Sequence, residues 1–169
     1  MITEINFEIR QMEDRDATSV IEIFQYGIDT KNATFDLQVP TWDYWNKTHF
    51  EKCRFVMQTQ DDKIIGWCAL KPTSDRECFK GVAEVSIYLH KDFLNRGLGK
   101  LLLRKLILSS EENGFWTLQS GIFPENIGSI KLHEGLNFRQ VGIRQKIAQM
   151  DGIWRDIVLM ERRSDVVGF

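Results

Sequence analysis

The chain is short of cysteine, has no long apolar run and carries no excess of charge of either sign. Each shortage removes a class of protein. Its three cysteines, Cys53, Cys68 and Cys78, are odd in number and lack Cys-x-x-Cys spacing. They read as reduced thiols of a cytoplasmic protein, not as a disulfide frame or a zinc site. No apolar run approaches the roughly 20 residues that a membrane-spanning helix needs. The start, Met1 to Asn6, has neither the basic nor the apolar segment of a secretory leader, so no membrane partner is expected. With 22 Lys and Arg against 24 Asp and Glu, the formal net charge is −2, which argues against nucleic acid as a partner. His49 and His90 lack neighbours at metal-ligand spacing. They read as surface or capping residues, and no metal is expected. What is there is 169 residues, 43% hydrophobic and 11% aromatic, with no repeats or low-complexity linkers. That suffices for one domain over residues 1–169 with a full core.

The most informative stretch is Ala83 to Leu103. Val85, Ile87 and Leu89 alternate with Ser86 and Tyr88, the chain breaks at Asn95-Arg96-Gly97, and a Leu-rich helical pattern follows. Two glycines, Gly97 and Gly99, flank Leu98 at the start of that helix, with Arg96 and Lys100 beside them. Orphan N–H groups and the helix dipole make such a turn a pyrophosphate cradle. A dinucleotide-binding Gly-x-Gly-x-x-Gly would need glycine at Leu102, and a P-loop would need glycine at Leu94 and Ser or Thr at Leu101. Neither fits.

Around this stretch the pattern predicts a strand from Phe7 to Met12 and a helix capped by Asp14 or Asp16 and running through Ile28. A second helix begins at Pro40-Thr41. Strands at 55–59 and 64–70 form a hairpin, and the key strand covers 82–89. The helix from Gly97 stops near Asn113-Gly114. Strand 117–122, helix 126–136 and a closing hairpin of 139–148 with 154–161, turned at Asp151-Gly152, complete the chain.

The turn at Arg96 to Gly99 resembles the pyrophosphate loop of the GNAT acetyltransferase superfamily, although the leading Arg or Gln of that loop is here Leu94. Within the superfamily several segments are similar to the phosphinothricin N-acetyltransferase group: Asn32 to Phe35, Gly66 to Leu70, Ala83 to Tyr88, Asn126 with Ser129, Leu132-His133-Glu134 and Gly152-x-Trp154-x-Asp156. The resemblance implies an α+β, three-layer GNAT fold, with a mixed, mostly antiparallel sheet and helices on both faces. It further implies acetyl-CoA as cosubstrate, N-acetylation of a small amino-acid-like acceptor, and a homodimer. A peptide or protein N-terminal acetyltransferase and a catalytically silent CoA-binding module are the alternatives.

The chemistry, together with what the resemblance implies, assigns roles to residues. An amine protonated near neutral pH needs a base. Glu84, on the key strand, is the candidate, with cross-strand pairing as its other reading. His133 stands where many relatives have the tyrosine that protonates the leaving sulfur, and it is equally suited to a packed helix face. The main chain of Ile87, Tyr88 and Leu89 is expected beside the cofactor, with an N–H of Tyr88 or Leu89 at the oxyanion. Asn95, Arg96, Gly97, Leu98, Gly99 and Lys100 are expected to hold the pyrophosphate, and Asn126 and Ser129 the pantetheine side, Asn126 also serving as a helix cap. By the resemblance Thr34 and Phe35 are expected to wall the acceptor pocket, with Phe79 as a lid or a further wall. Arg76 is the candidate for an acceptor carboxylate, or else a solvated loop charge. Related sequences often carry a second Arg where this chain has Ser74. Trp154 reads as a core or dimer-interface anchor.

Overall fold

The computed structural model describes residues 6–169; residues 1–5, part of the segment read above for a leader, lie outside. Strand β1 (Phe7–Gln11) leads through a short 3-10 turn to helix α1 (Ala17–Asp29), and α2 (Trp42–Thr48) follows. Strands β2 (Phe55–Thr59), β3 (Ile64–Pro72) and β4 (Val82–Leu89) run to α3 (Leu98–Glu112). Then come β5 (Thr117–Ile122), α4 (Ile127–Glu134), β6 (Arg139–Met150) and β7 (Ile153–Arg163). Every element expected from the pattern is present. The fourth helix is shorter than expected, because Asn126 stays outside it as the N-cap: its Oδ1 accepts the Ser129 N–H at 3.2 Å.

The seven strands form one sheet in the order β1-β2-β3-β4-β5-β7-β6. Among the described residues only β4 and β5 pair in parallel. Alternation along each strand sends side chains to two apolar layers. Met57, Ile65, Cys68, Leu70, Ala83 and Val85 pack under α3, whose Leu98, Leu102, Leu103 and Leu106 are buried there. Val56, Trp67 and Ala69 face the other way, with Val20, Ile23 and Phe24 of α1 and Trp45 of α2. Helices thus cover both faces, as a three-layer α+β fold requires.

One irregularity makes the site. The β4–β5 ladder holds only from Val82–Thr117 to Glu84–Gln119, whereas β4 stays paired with β3 as far as Leu89–Gly66 and β5 with β7 as far as Ile122–Val158. The two strands part beyond Glu84, and backbone groups of β4 lose their neighbour on that side. At the far edge, the register of β6 against β7 slips between Arg144 and Ala148. Lys146 there has φ +47°, and its N–H donates to Asp156 Oδ1 at 2.8 Å. Asp156 therefore pins a bulge, a role its place in the Gly-x-Trp-x-Asp segment did not reveal.

Candidate active site

Where β4 and β5 part, a cleft of about 820 Å³ opens. Its floor follows from cross-strand register. Lys71 of β3 sits opposite Glu84 of β4, and Glu84 is opposite Gln119 of β5, so the three side chains share the α1–α2 face with Ser86 and Tyr88. Lys71 Nζ lies 3.0 Å from Glu84 Oε1, both side chains being about two-fifths exposed (39% and 42%).

The wall from α1 and α2 is aromatic. Tyr88 stacks on Trp67 at 4.8 Å and meets the edge of Phe24 at 4.9 Å. Gly27 of α1 admits this ring, since a Cβ there would fall 2.6 Å from Tyr88 Cε1. Burial, aided by the Asp36 carboxylate, pushes the Tyr88 phenol above its ordinary range, so it stays a neutral hydroxyl. Trp45 is sandwiched between Trp42 at 4.9 Å and His49 at 4.1 Å. Arg54 secures the end of α2 by donating to the carbonyl oxygens of Asn46, His49 and Phe50. His49 Nδ1 lies 2.8 Å from the Trp45 carbonyl oxygen, and a carbonyl can only accept, which assigns the proton to Nδ1. Burial, joined by the charges of Lys71 and Arg54, outweighs that bond and lowers the His49 pKa to about 4. The indole nitrogens of Trp45 and Trp67 are buried without a hydrogen-bond partner.

The opposite wall comes from the start of α4 and the loop after α1. Asn126 Nδ2 donates to the Asn32 carbonyl oxygen at 3.1 Å, tying the two together. Thr34 Oγ1 donates to Asp36 Oδ2 at 2.8 Å, and Phe35 packs edge-on against Phe123 at 4.8 Å. Arg155 lies 4.0 Å above the Phe123 ring and donates to the Lys31 carbonyl oxygen at 3.1 Å, so β7 also holds this loop in place. Deeper, His133 is 1% exposed. Its Nδ1 lies 2.8 Å from the Ser129 carbonyl oxygen, and Nε2 is buried without a partner. Burial lowers its pKa, leaving a neutral ring with its lone pair on Nε2.

Thr34, Phe35, Glu84, Ile87, Tyr88, Asn126, Ser129 and His133 all line this one cleft. Leu89 instead turns into the layer under α3. Asn95 to Lys100 lie outside the lining, one turn beyond β4. There Gly97, at φ +76°, is the N-cap of α3, and nothing lies within 4 Å of where its Cβ would be, so glycine serves conformation alone. At Gly99 a Cβ would meet Leu132 Cδ2 at 3.3 Å, so that glycine serves helix packing. The open first turn of α3 offers amide donors to an anion. Arg96 is turned back, its Nη2 donating to the Asp92 carbonyl oxygen at 3.0 Å and its guanidinium over Phe93 at 5.4 Å. Both Arg96 and Lys100 are exposed beside that turn, and among the described residues no side-chain contact holds Lys100 back.

Arg76 and Phe79 depart from expectation. Both are exposed on the turn between β3 and β4, outside the cleft lining, with the guanidinium 5.6 Å from the Phe79 ring. That loop is rich in charge and solvates itself, with Lys80 paired to Glu77 at 2.7 Å. Trp154 is 55% exposed and so is no core anchor. His49 is a half-buried wall residue, not a surface one. His90 does cap, accepting the Asp92 N–H at 3.3 Å. Lys71, His49 and Arg144 are lining residues that pattern reading missed. Counting back across the β3–β4 hairpin from Glu84 would have found Lys71.

A family model described as Acetyltransferase (GNAT) family matches residues 19–138. An L-methionine sulfoximine/L-methionine sulfone acetyltransferase of Pseudomonas aeruginosa is 30% identical over 162 residues, covering 93% of this chain and 94% of that protein. A phosphinothricin N-acetyltransferase of Alcaligenes faecalis is 26% identical over 160 residues, 91% of this chain and 81% of the other. Among solved structures, a GNAT superfamily phosphinothricin acetyltransferase from Sinorhizobium meliloti in complex with AcCoA superposes with a TM-score of 0.83 at 23% identity, over 94% of this chain and 89% of that one. The match extends over most of the sequence and through the parted strands that form the cleft, and the chain belongs to the acetyltransferase (GNAT) family.

Proposed function

We propose that the protein transfers the acetyl group of acetyl-CoA to the amino group of a small amino-acid-like acceptor seated in the cleft between Glu84 and the aromatic wall. The observation that carries this reading is a carboxylate, Glu84, on the floor of a walled cleft at the point where β4 leaves β5. The relatives named for methionine sulfoximine and phosphinothricin support the acceptor class.

Acetyl-CoA supplies an activated acyl carbon as a thioester. The chain's part is to bind, orient and move protons. Amides at the start of α3, with Lys100, hold the pyrophosphate. Free main-chain groups of β4 from Ile87 to Leu89 meet the acetyl carbonyl and stabilise the oxyanion. Glu84 takes the ammonium proton, directly or through water, so that the amine can attack. His133, neutral with a lone pair on Nε2, can give a proton to the departing thiolate only after taking one.

The working unit is a homodimer in the cytoplasm, one domain per chain. Support for the dimer is the apolar exposure of Val141, Ile143 and Ile147 on β6, with Ile153 and Trp154 beyond the turn. Support for the compartment is three free cysteines. Among the described residues no helix is long and apolar enough to cross a membrane.

The test is release of CoA thiol from acetyl-CoA across a panel of amino acids, methionine sulfoximine, methionine sulfone, phosphinothricin, polyamines and short peptides. Release with the amino-acid-like amines is expected. Release with short peptides alone would make this an N-terminal acetyltransferase, and binding of acetyl-CoA with no release for any amine would make it a silent module.

A further inference from the structure

We propose that Lys71 is the carboxylate site of the acceptor, and that an α-amino acid is seated by exchanging partners with the Lys71–Glu84 ion pair. The inference rests on the acetyltransferase reading above and narrows its substrate class to amines with an adjacent carboxylate. An α-amino acid carries its ammonium and carboxylate on one carbon, so the two charges lie about one hydrogen bond apart. Lys71 Nζ and Glu84 Oε1 are 3.0 Å apart on the cleft floor, a complementary pair at matching spacing. On arrival the acceptor's carboxylate takes Lys71 and its ammonium takes Glu84. One ion pair becomes two, and the nitrogen to be acetylated is delivered to the base.

Three observations favour Lys71 over the other cations. Arg76 lies outside the cleft and is stacked on Phe79. Arg144 lines the cleft from β6, two strands beyond β5 in the sheet, whereas Lys71 stands on the strand directly beside Glu84. His49, beside Lys71, has its pKa lowered by burial and by the charges of Lys71 and Arg54, and of those two cations only Lys71 lines the cleft. The exchange is also easy. Both side chains are about two-fifths exposed, and an exposed ion pair is weakly held. Neither makes another side-chain hydrogen bond or ion pair among the described residues.

The test compares L-methionine sulfone and L-methionine with L-methioninamide, which keeps the amine and loses the carboxylate charge. Initial rates with acetyl-CoA and binding by calorimetry in the presence of CoA are measured for the wild-type chain and for Lys71→Gln, Lys71→Arg and Arg144→Gln. Lys71→Gln should raise KM and Kd for the acids about 10- to 100-fold, the range for a hydrogen bond to a charged group. The amide should change little, Lys71→Arg should recover most of the preference, and Arg144→Gln should keep it. Equal losses for acid and amide in Lys71→Gln, or collapse of the preference in Arg144→Gln alone, overturns the assignment. Wild-type binding of the acids without turnover, lost in Lys71→Gln, keeps the Lys71 site and refutes the transferase reading. Turnover of the amide or of polyamines in preference to the acids does the reverse.

Discussion

His133 gives its Nδ1 hydrogen to the Ser129 carbonyl oxygen, 2.8 Å away and one turn back along α4, and this bond decides what the ring can do. The proton is committed to the helix, and the partnerless Nε2 is an acceptor. A histidine that served as an acid from the start would have to be charged, and burial opposes that.

The pH dependence of kcat/KM checks this. Between pH 6 and 8.5 the rate should stay level, because the acceptor arrives as its ammonium, Glu84 takes that proton within the cleft, and His133, its pKa already lowered, needs no charge. His133→Gln should lower the rate and keep the profile level. A wild-type rate that falls across this range, with the fall absent in His133→Gln, would restore the ring as the initial acid.

Replacing Glu84 by Gln removes the base and leaves the α3 turn untouched. Turnover should drop by about 10² to 10⁴, the usual contribution of a positioned general base, while the Kd for acetyl-CoA stays within about twofold. Single-turnover rates and acetyl-CoA titration separate the two quantities, and unchanged turnover would remove Glu84 from the proton path.

Two glycines should fail in different ways. Gly97→Ala meets no atom but must hold φ near +76°, which costs an L-residue about 1–2 kcal/mol, and it should weaken acetyl-CoA binding with the acceptor KM unchanged. Gly27→Ala has an ordinary helical backbone but drives a methyl against Tyr88. An overpacking cost of about 1–3 kcal/mol is expected, with a raised acceptor KM. Urea unfolding paired with steady-state kinetics distinguishes them.

His49 should make stability fall in mild acid. Its folded pKa is about 4 against an ordinary 6.5, so the unfolded chain takes the proton first. The contribution is whole above pH 6.5 and is lost as pH drops toward 4. The full shift corresponds to about 3 kcal/mol at most, and His133 adds a slope of the same sign. Urea midpoints from pH 7.5 to 4.5 should therefore decline, and less steeply in His49→Gln.

The elements were legible in the sequence because their signals are local. Alternation at Val85, Ile87 and Leu89, the Leu-rich run after Gly99, the cap at Asn126 and the Asp151-Gly152 turn each follow from neighbours a few residues apart. The resemblance carried Glu84, Asn126 and His133 to one site, and all three do line one cleft. What the sequence could not decide depends on long-range packing. Arg76 and Lys71 stand five positions apart and carry the same charge, yet only Lys71 lies on a strand whose register places it opposite Glu84. Arg96 looks free beside its glycines until the fold turns it onto Phe93 and the Asp92 carbonyl. His49 and His133 look like ordinary titrating rings until burial strips them of charge. Local sequence determined which segments become strands and helices. Which charged side chains meet, which are desolvated and which way a ring holds its proton was settled only when segments up to 124 residues apart, as Lys31 and Arg155 are, came into contact.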